Sequence, residues 1–172
     1  GVFLGIASTD STDFAQILAA SPAGSSVYAA TGGALSIASG RISYALGLHG
    51  PCASYDTACS AALVACHGGR CALKLGECST ALVSGVMLML GMRAPISFAL
   101  AGMTSVRGRS HTFDTRADGY ARGEACGAAA LHNEAALHNE EGRLVVHGSV
   151  LRQDGRSASL TAPNGIAQQG LL

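Results

Sequence analysis

Tryptophan is absent from the 172 residues, and phenylalanine and tyrosine contribute four each. Aromatics make up 5% of a chain that is 48% hydrophobic, so the interior has to be built from alanine, valine, leucine and isoleucine. With 23 glycines, that composition predicts tight layers with close backbone contacts rather than a large open pocket lined by rings. Net charge is missing too: 11 basic residues balance 11 acidic ones. No basic stripe suggests nucleic acid, and no polybasic segment suggests a membrane surface. No apolar run is long enough to span a bilayer, and no charged-then-apolar leader opens the chain. Cysteine is plentiful, at 52, 59, 66, 71, 78 and 126, but no Cys-x-x-Cys pair occurs, which argues against a structural zinc site. Small, buried, reduced thiols are expected, in an intracellular setting: the cytoplasm, or an organelle such as a plastid.

The length suffices for one domain with a core. There is no initiator Met. The chain opens in an apolar run, Val2 to Ile6, that reads as a buried strand, and it closes on Gln168 to Leu172, which reads as a helix beginning. Domains usually begin and end in polar linkers, so the expectation is an excerpt truncated at both ends. Between those ends helices and strands alternate, which argues α/β. Helices are predicted over Ser11–Leu18, Leu35–Tyr44 (ending near Gly47), Ser60–Leu75 (ended by Gly76), Arg93–Met103 and Glu134–Glu140. An extended stretch leads to Asp56. Ala81–Met89 is continuously apolar, as in a strand buried on both faces, and Gly127–Leu131 and Leu144–Leu151 read as further strands. Arg107–Arg122 is a polar, glycine-rich loop.

One local conflict stands out. Gly68 and Gly69 lie inside the Ser60–Leu75 helix, and each costs up to about 1 kcal/mol against alanine. With Ala61, Ala62 and Ala65 they make a small-faced helix, which is usually buried with other backbones packed close. Cys59 falls where that helix begins. A thiol there meets unpaired backbone N–H groups and the positive end of the helix dipole, both of which favour thiolate.

Three segments, Asp56–Ala65, Phe113–Gly127 and Gln153–Gly165, together resemble the β-ketoacyl synthase (ketosynthase) family of modular polyketide synthases. Asp56-Thr57-Ala58-Cys59-Ser60-Ala61-Ala62-Leu63-Val64-Ala65 is similar to the family's D-T-A-C-S-S-S-L-V-A. Phe113 to Gly127 is similar to F-D-x-x-A-D-G-Y-x-R-G-E-G-x-G. Gln153 to Gly165 is similar to Q-D-G-x-x-x-x-L-T-A-P-N-G. Gly40–Leu48 and Glu77–Val86 match as well, and all stand in the family's order. The resemblance implies the thiolase-like fold, layered α-β-α-β-α. This chain, residues 1–172, would be a partial ketosynthase domain: most of the first half and the start of the second. It would be poorly stable alone.

The implied function is acyl transfer by decarboxylative Claisen condensation in polyketide biosynthesis. Cys59 is the implied acyl-carrying catalytic residue, and its own N–H an oxyanion donor. No cofactor or metal is implied for the domain itself. Substrates would ride on the phosphopantetheine of an acyl carrier protein. The other implied partners are a second copy in a homodimer, with the strand before Cys59 near the interface, and further synthase domains. Two alternatives stay open: a fatty-acid-synthase-type β-ketoacyl synthase, and a non-elongating module that binds acyl and carrier protein.

The family's two catalytic histidines, in E-A-H-G-T-G-T and K-x-x-x-G-H, match none of His49, His67, His111, His132, His138 and His147, so the excerpt alone should not condense. His67 lies eight residues after Cys59, about 12 Å along a helix, and reads as structural. Cys52, Cys66, Cys71, Cys78 and Cys126 read as inert. Asp114, Asp118, Arg122 and Glu124 read as a network holding a loop rather than as paired-carboxylate or metal chemistry. Two departures from the pattern bear on geometry: Ala125 for a Gly, and Arg152 for an Asn.

Overall fold

The computed structural model describes residues 1–7, 19–21, 27–133, 144–159 and 161–171. The predicted helices Ser11–Leu18 and Glu134–Glu140 lie outside those residues. Among the described residues four strands form one sheet: β1 (Val2–Ile6), β2 (Cys52–Tyr55), β3 (Thr80–Met87) and β4 (Ala125–His132), in the order β2-β1-β3-β4. β1 runs parallel to both β2 and β3, and β4 closes the sheet antiparallel to β3. The helices are α1 (Ala29–Gly32), α2 (Ala38–Leu46), α3 (Ala61–Lys74), α4 (Arg93–Leu100) and α5 (Gly165–Gln169).

Alternation along the strands decides which helix each residue meets. Phe3, Ala81 and Val83 face α3, and with Ala65, Ala72 and Leu73 they form the buried cluster. Val2 and Leu4 are buried on the opposite face, where α2 packs on β1 and β2. There Ser54 donates its hydroxyl to Ser39 Oγ at 3.0 Å and accepts the Ser39 N–H at 3.2 Å, so the buried serine is satisfied.

The glycine conflict in α3 resolves as packing. A Cβ on Gly69 would lie 2.6 Å from Val83 Cγ1, so only glycine lets the helix settle this close to β3. At the helix start, a Cβ on Gly5 would lie 2.5 Å from the Ala61 carbonyl carbon and the Ala62 nitrogen, backbone atoms that cannot swing aside. The same contact on β3 would put a Gly85 Cβ 2.6 Å from that of Ala62. The propensity cost of two helical glycines is thus offset by burial against the sheet. As expected, α3 stops at Gly76, whose φ is +72°.

Three expectations are corrected. Leu144–Leu151 forms no strand: most of its side chains are exposed, and no partner strand among the described residues supplies a ladder for its valines. β3 is buried at Ala81 and Val83, but Leu82, Ser84 and Val86 are only half-buried, because α2 covers β1 and β2 on that face rather than β3. Finally, the cysteines are free, but none is buried. Cys52 sits on the edge strand β2 and is exposed, Cys126 lies on the less covered face of β4 and is exposed, and Cys66, Cys71 and Cys78 are half-buried.

Candidate active site

Parallel strands β1, β2 and β3 point their carboxyl ends the same way, and ligands in open α/β sheets bind in the crevice beyond such ends. The chain leaving β2 makes a sharp corner there. Thr57 ends the extended stretch, and Ala58, Cys59 and Ser60 form a single 3₁₀ turn that runs directly into α3. Ala58 takes φ +52°, the left-handed region, which costs an alanine about 1–2 kcal/mol. Short-range bonds hold the corner. Asp56 Oδ1 accepts the Ala58 N–H at 3.2 Å, and the Ser60 hydroxyl donates to the Thr57 carbonyl at 2.9 Å. The Asp-Thr-Ala-Cys-Ser run is therefore a strained turn with its own side-chain clasps. Cys59, in the middle of it, is exposed.

Cys59 lines a cavity of about 790 Å³. Its floor is the α3-facing side of the sheet, Gly5, Val83, Gly85, Gly127 and Ala129, with Ala61 and Ala62 of α3 beside it. Its far wall is Phe98 of α4, Met103, and Tyr120 to Gly123. This corrects the expectation of tight layers without a large pocket. The floor is mostly alanine and glycine, and their missing side chains leave space in front of the Phe98 and Tyr120 rings of the far wall.

Tyr120, Ala121 and Arg122 of the far wall belong to the predicted polar loop, Arg107–Arg122. Ser105 organises it: its hydroxyl donates to Asp118 Oδ1 at 2.6 Å and accepts the Arg107 N–H at 3.1 Å. The backbones of Met103 and Ser105 bond to that of Tyr120, forming an isolated parallel bridge between Thr104 and Tyr120. The Ser110 hydroxyl accepts the Ala121 N–H at 3.0 Å. Asp114 takes a bidentate pair from Arg116, which holds its carboxyl below the usual carboxylate range and raises the guanidinium. Glu124 Oε1 accepts the Met89 N–H at 2.7 Å, and the Arg122 guanidinium stacks 5.2 Å from the centre of the Phe98 ring. The carboxylates are each engaged locally, in keeping with a loop-holding network. Among the described residues no group of three His, Cys, Asp or Glu stands close enough to hold a metal ion.

The third motif is also a clasp. Asn164 caps α5 by accepting the Ala167 N–H at 3.3 Å, donates its own N–H to Asp154 Oδ2 at 2.9 Å, and gives its side-chain amide to the Asp154 carbonyl at 3.1 Å. Gln153 Oε1 accepts the Gly155 N–H. The two departures are accommodated. Ala125 sits at the start of β4 opposite Met87 with no positive φ, and Arg152 donates to the Gly170 carbonyl at 2.6 Å. His67 bonds Ser149 and Cys71, away from Cys59.

The Beta-ketoacyl synthase, N-terminal domain family model matches residues 1–136. The chain is 44% identical over 158 residues to a phenolphthiocerol/phthiocerol polyketide synthase protein of Mycobacterium tuberculosis, covering 91% of the chain and 10% of that protein. It is 42% identical over 174 residues to polyketide synthase GfsB of Streptomyces halstedii, covering all of the chain and 3% of that protein. Among solved structures it is similar to the ketosynthase from module 6 of the bacillaene synthase of Bacillus subtilis 168, with TM-score 0.76 and 35% identity, covering 99% of the chain and 29% of that structure. The oxazolomycin ketosynthase domain OzmH KS7 of Streptomyces albus JA3453 gives TM-score 0.67 at 28% identity, covering 79% of the chain and 24% of that structure. The chain thus spans a tenth or less of these curated relatives' length and under a third of these solved structures.

Proposed function

Because the chain belongs to the β-ketoacyl synthase family, we propose that it is the nucleophile-bearing part of a polyketide ketosynthase, with Cys59 as the acyl-carrying residue. The observation that carries this is local. Cys59 stands exposed on a strained turn, at the head of a fourteen-residue helix, at the mouth of an apolar cavity beyond the carboxyl ends of the parallel strands. The Cys59 N–H stands at the positive end of the helix dipole, where it can donate to the negative oxygen that develops on a thioester.

In this reading the substrate arrives as a thioester on the phosphopantetheine of an acyl carrier protein. The Cys59 sulfur attacks the thioester carbonyl, the carrier thiol leaves, and the acyl chain lies in the cavity. A malonyl-type extender then loses carbon dioxide. The enolate carbon attacks the Cys59 thioester, the new carbon–carbon bond forms, and Cys59 leaves as thiolate. The histidines that serve the decarboxylation half match no histidine of these 172 residues, so the chain is a partial domain in this reading and condenses only as part of it. β2, with no strand beyond it among the described residues, supports a homodimer joined near the strand before Cys59. Polyketide synthases among the relatives favour the polyketide assignment over the fatty-acid alternative. Among the described residues no helix is long and apolar enough to cross a membrane.

The test is mass spectrometry of the full-length protein after incubation with an acyl-thioester donor. The acyl mass is expected on the Cys59 peptide and absent from Cys59→Ala. A label that persists in the variant, or that sits on Cys52 or Cys66, refutes the assignment.

A further inference from the structure

The other end of α3 holds a second thiol, and this one has a base beside it. Cys71 Sγ lies 3.4 Å from Nε2 of His67, one turn earlier on the helix, and His67 Nδ1 lies 3.0 Å from the hydroxyl of Ser149. Cys71 and His67 are half-buried, so the thiol is sheltered but reachable. A neutral imidazole has one N–H and one lone pair. With Ser149 Oγ accepting the Nδ1 proton, Nε2 is left as the acceptor facing the Cys71 S–H, which is the tautomer a base requires. The neighbouring Arg70 donates to the His147 carbonyl at 3.1 Å, so the segment carrying Ser149 is pinned to α3 at two points. Cys71 is twelve residues from Cys59, about 18 Å along a helix, and does not line its cavity.

Cys66 and Cys78 are free and half-buried like Cys71 but have no such partner among the described residues, so the chain contains its own controls. From sequence alone Cys71 reads as inert and His67 as structural; the structural role is only half of what the geometry offers.

We propose that Cys71 is a thiol–disulfide exchange site for small disulfides, with His67 as its base and Ser149 holding the imidazole. As the Cys71 sulfur attacks one sulfur of a disulfide RS–SR, its proton passes to His67 Nε2. The S–S bond of the reagent breaks, a Cys71–S–S–R bond forms, and the released thiolate takes the proton from His67 and departs as RSH. Cys71 is oxidised to the disulfide level and the released half of the reagent is reduced. The site is independent of Cys59 and stands whether or not Cys59 carries an acyl group. Its adduct would sit against the clasp that joins α3 to the 144–151 segment.

The experiment uses the full-length protein with oxidised glutathione as the probe, and peptide mass spectrometry follows mixed-disulfide formation at each cysteine. A thiol with no base beside it is only a few per cent ionised near neutral pH, so Cys71 is expected to react about tenfold faster than Cys66 or Cys78. His67→Asn is expected to remove most of that advantage near neutral pH and little of it near pH ~9, where thiols ionise unaided. A Cys71 rate no greater than those of Cys66 and Cys78, or one unchanged in His67→Asn near neutral pH, overturns the proposal. Should the variant fail to fold, the unmodified protein decides: the ratio of Cys71 to Cys66 rates must shrink as pH rises, and a constant ratio overturns the proposal.

Discussion

On one wall of the cavity, the turn carrying Cys59 is set by backbone against backbone, with Gly5 under the Ala61–Ala62 peptide and Gly85 under the Ala62 methyl. On the other wall, the segment from Thr104 to Gly123 is set by side-chain oxygens, with Ser105, Ser110, Asp114 and Asp118 each closing a short loop. Beyond the Asp56 and Ser60 clasps of the turn, the first wall carries little chemistry except the thiol, and its seat on the sheet is fixed by the absence of atoms. The second has few buried apolar contacts and is fixed by hydrogen bonds near solvent. An absence of atoms tolerates no added volume. A surface hydrogen-bond network tolerates volume but loses stability bond by bond.

That difference is broken most sharply at Gly5. Gly5→Ala places a methyl 2.5 Å from two backbone atoms of the α3 start, so either β1 or the helix must move. The expected loss is about 3 kcal/mol or more, together with acylation at Cys59, because the displaced helix carries the nucleophile. Denaturant unfolding of the full-length protein reads the first effect and the acyl-mass assay the second. Wild-type values for both would show that the close packing here is incidental. Gly119 is the nearest equivalent on the opposite wall. It adopts φ +139°, and an added Cβ would lie 2.5 Å from the Thr104 carbonyl carbon and the Ser105 nitrogen. Gly119→Ala is expected to cost about 2 kcal/mol, less than Gly5→Ala because the exposed loop can shift outward. Equal losses at the two glycines would erase the distinction between the walls.

Asp118 sharpens the comparison from the polar side. It accepts from the Ser105 hydroxyl and lies 3.8 Å from the Arg107 guanidinium, an exposed pair of little worth by itself. Asp118→Ala is expected to cost about 1 kcal/mol and to leave Cys59 acylation nearly unchanged in the same mass assay. A large loss of acylation would mean that the loop, not the packed turn, sets the nucleophile.

The packed wall was legible in the sequence because glycine and alanine in a helix leave a pattern. Gly68-Gly69 inside α3 looks like an error unless something comes close, and the Asp56–Ser60 run marks the corner that holds Cys59. The cavity was not legible. The same small residues that predict tight contact also leave space where two elements stand apart, and composition does not say which. The left-handed Ala58 gave no signal, since alanine is not a residue that advertises positive φ. Leu144–Leu151 misled for a related reason: alternation reports which residues favour a sheet, not whether a neighbouring strand is there to complete the ladder. The exposed cysteines misled because thiols are usually buried, while Cys52 sits on an edge strand and Cys126 on a face with little over it. The contact between His67 and Ser149 spans 82 positions and leaves no local trace.

The smallest effect expected is also the one with a definite pH sign. Arg116 holds the Asp114 carboxyl below its ordinary value through the side-chain pair and its backbone N–H. A carboxylate whose folded-state value is depressed adds stability that is present above its unfolded value and is lost as pH falls through the folded one. Asp114 keeps 31% of its side chain exposed and Arg116 keeps 64%, so solvent screening keeps the contribution small. Asp114→Asn is expected to lower the melting temperature of the full-length protein slightly at neutral pH, with the difference closing below the ordinary carboxylate range and shrinking in high salt. A gap between variant and wild type that persists unchanged at low pH would assign Asp114 a role in packing, and so place part of the loop under the rule that governs the opposite wall.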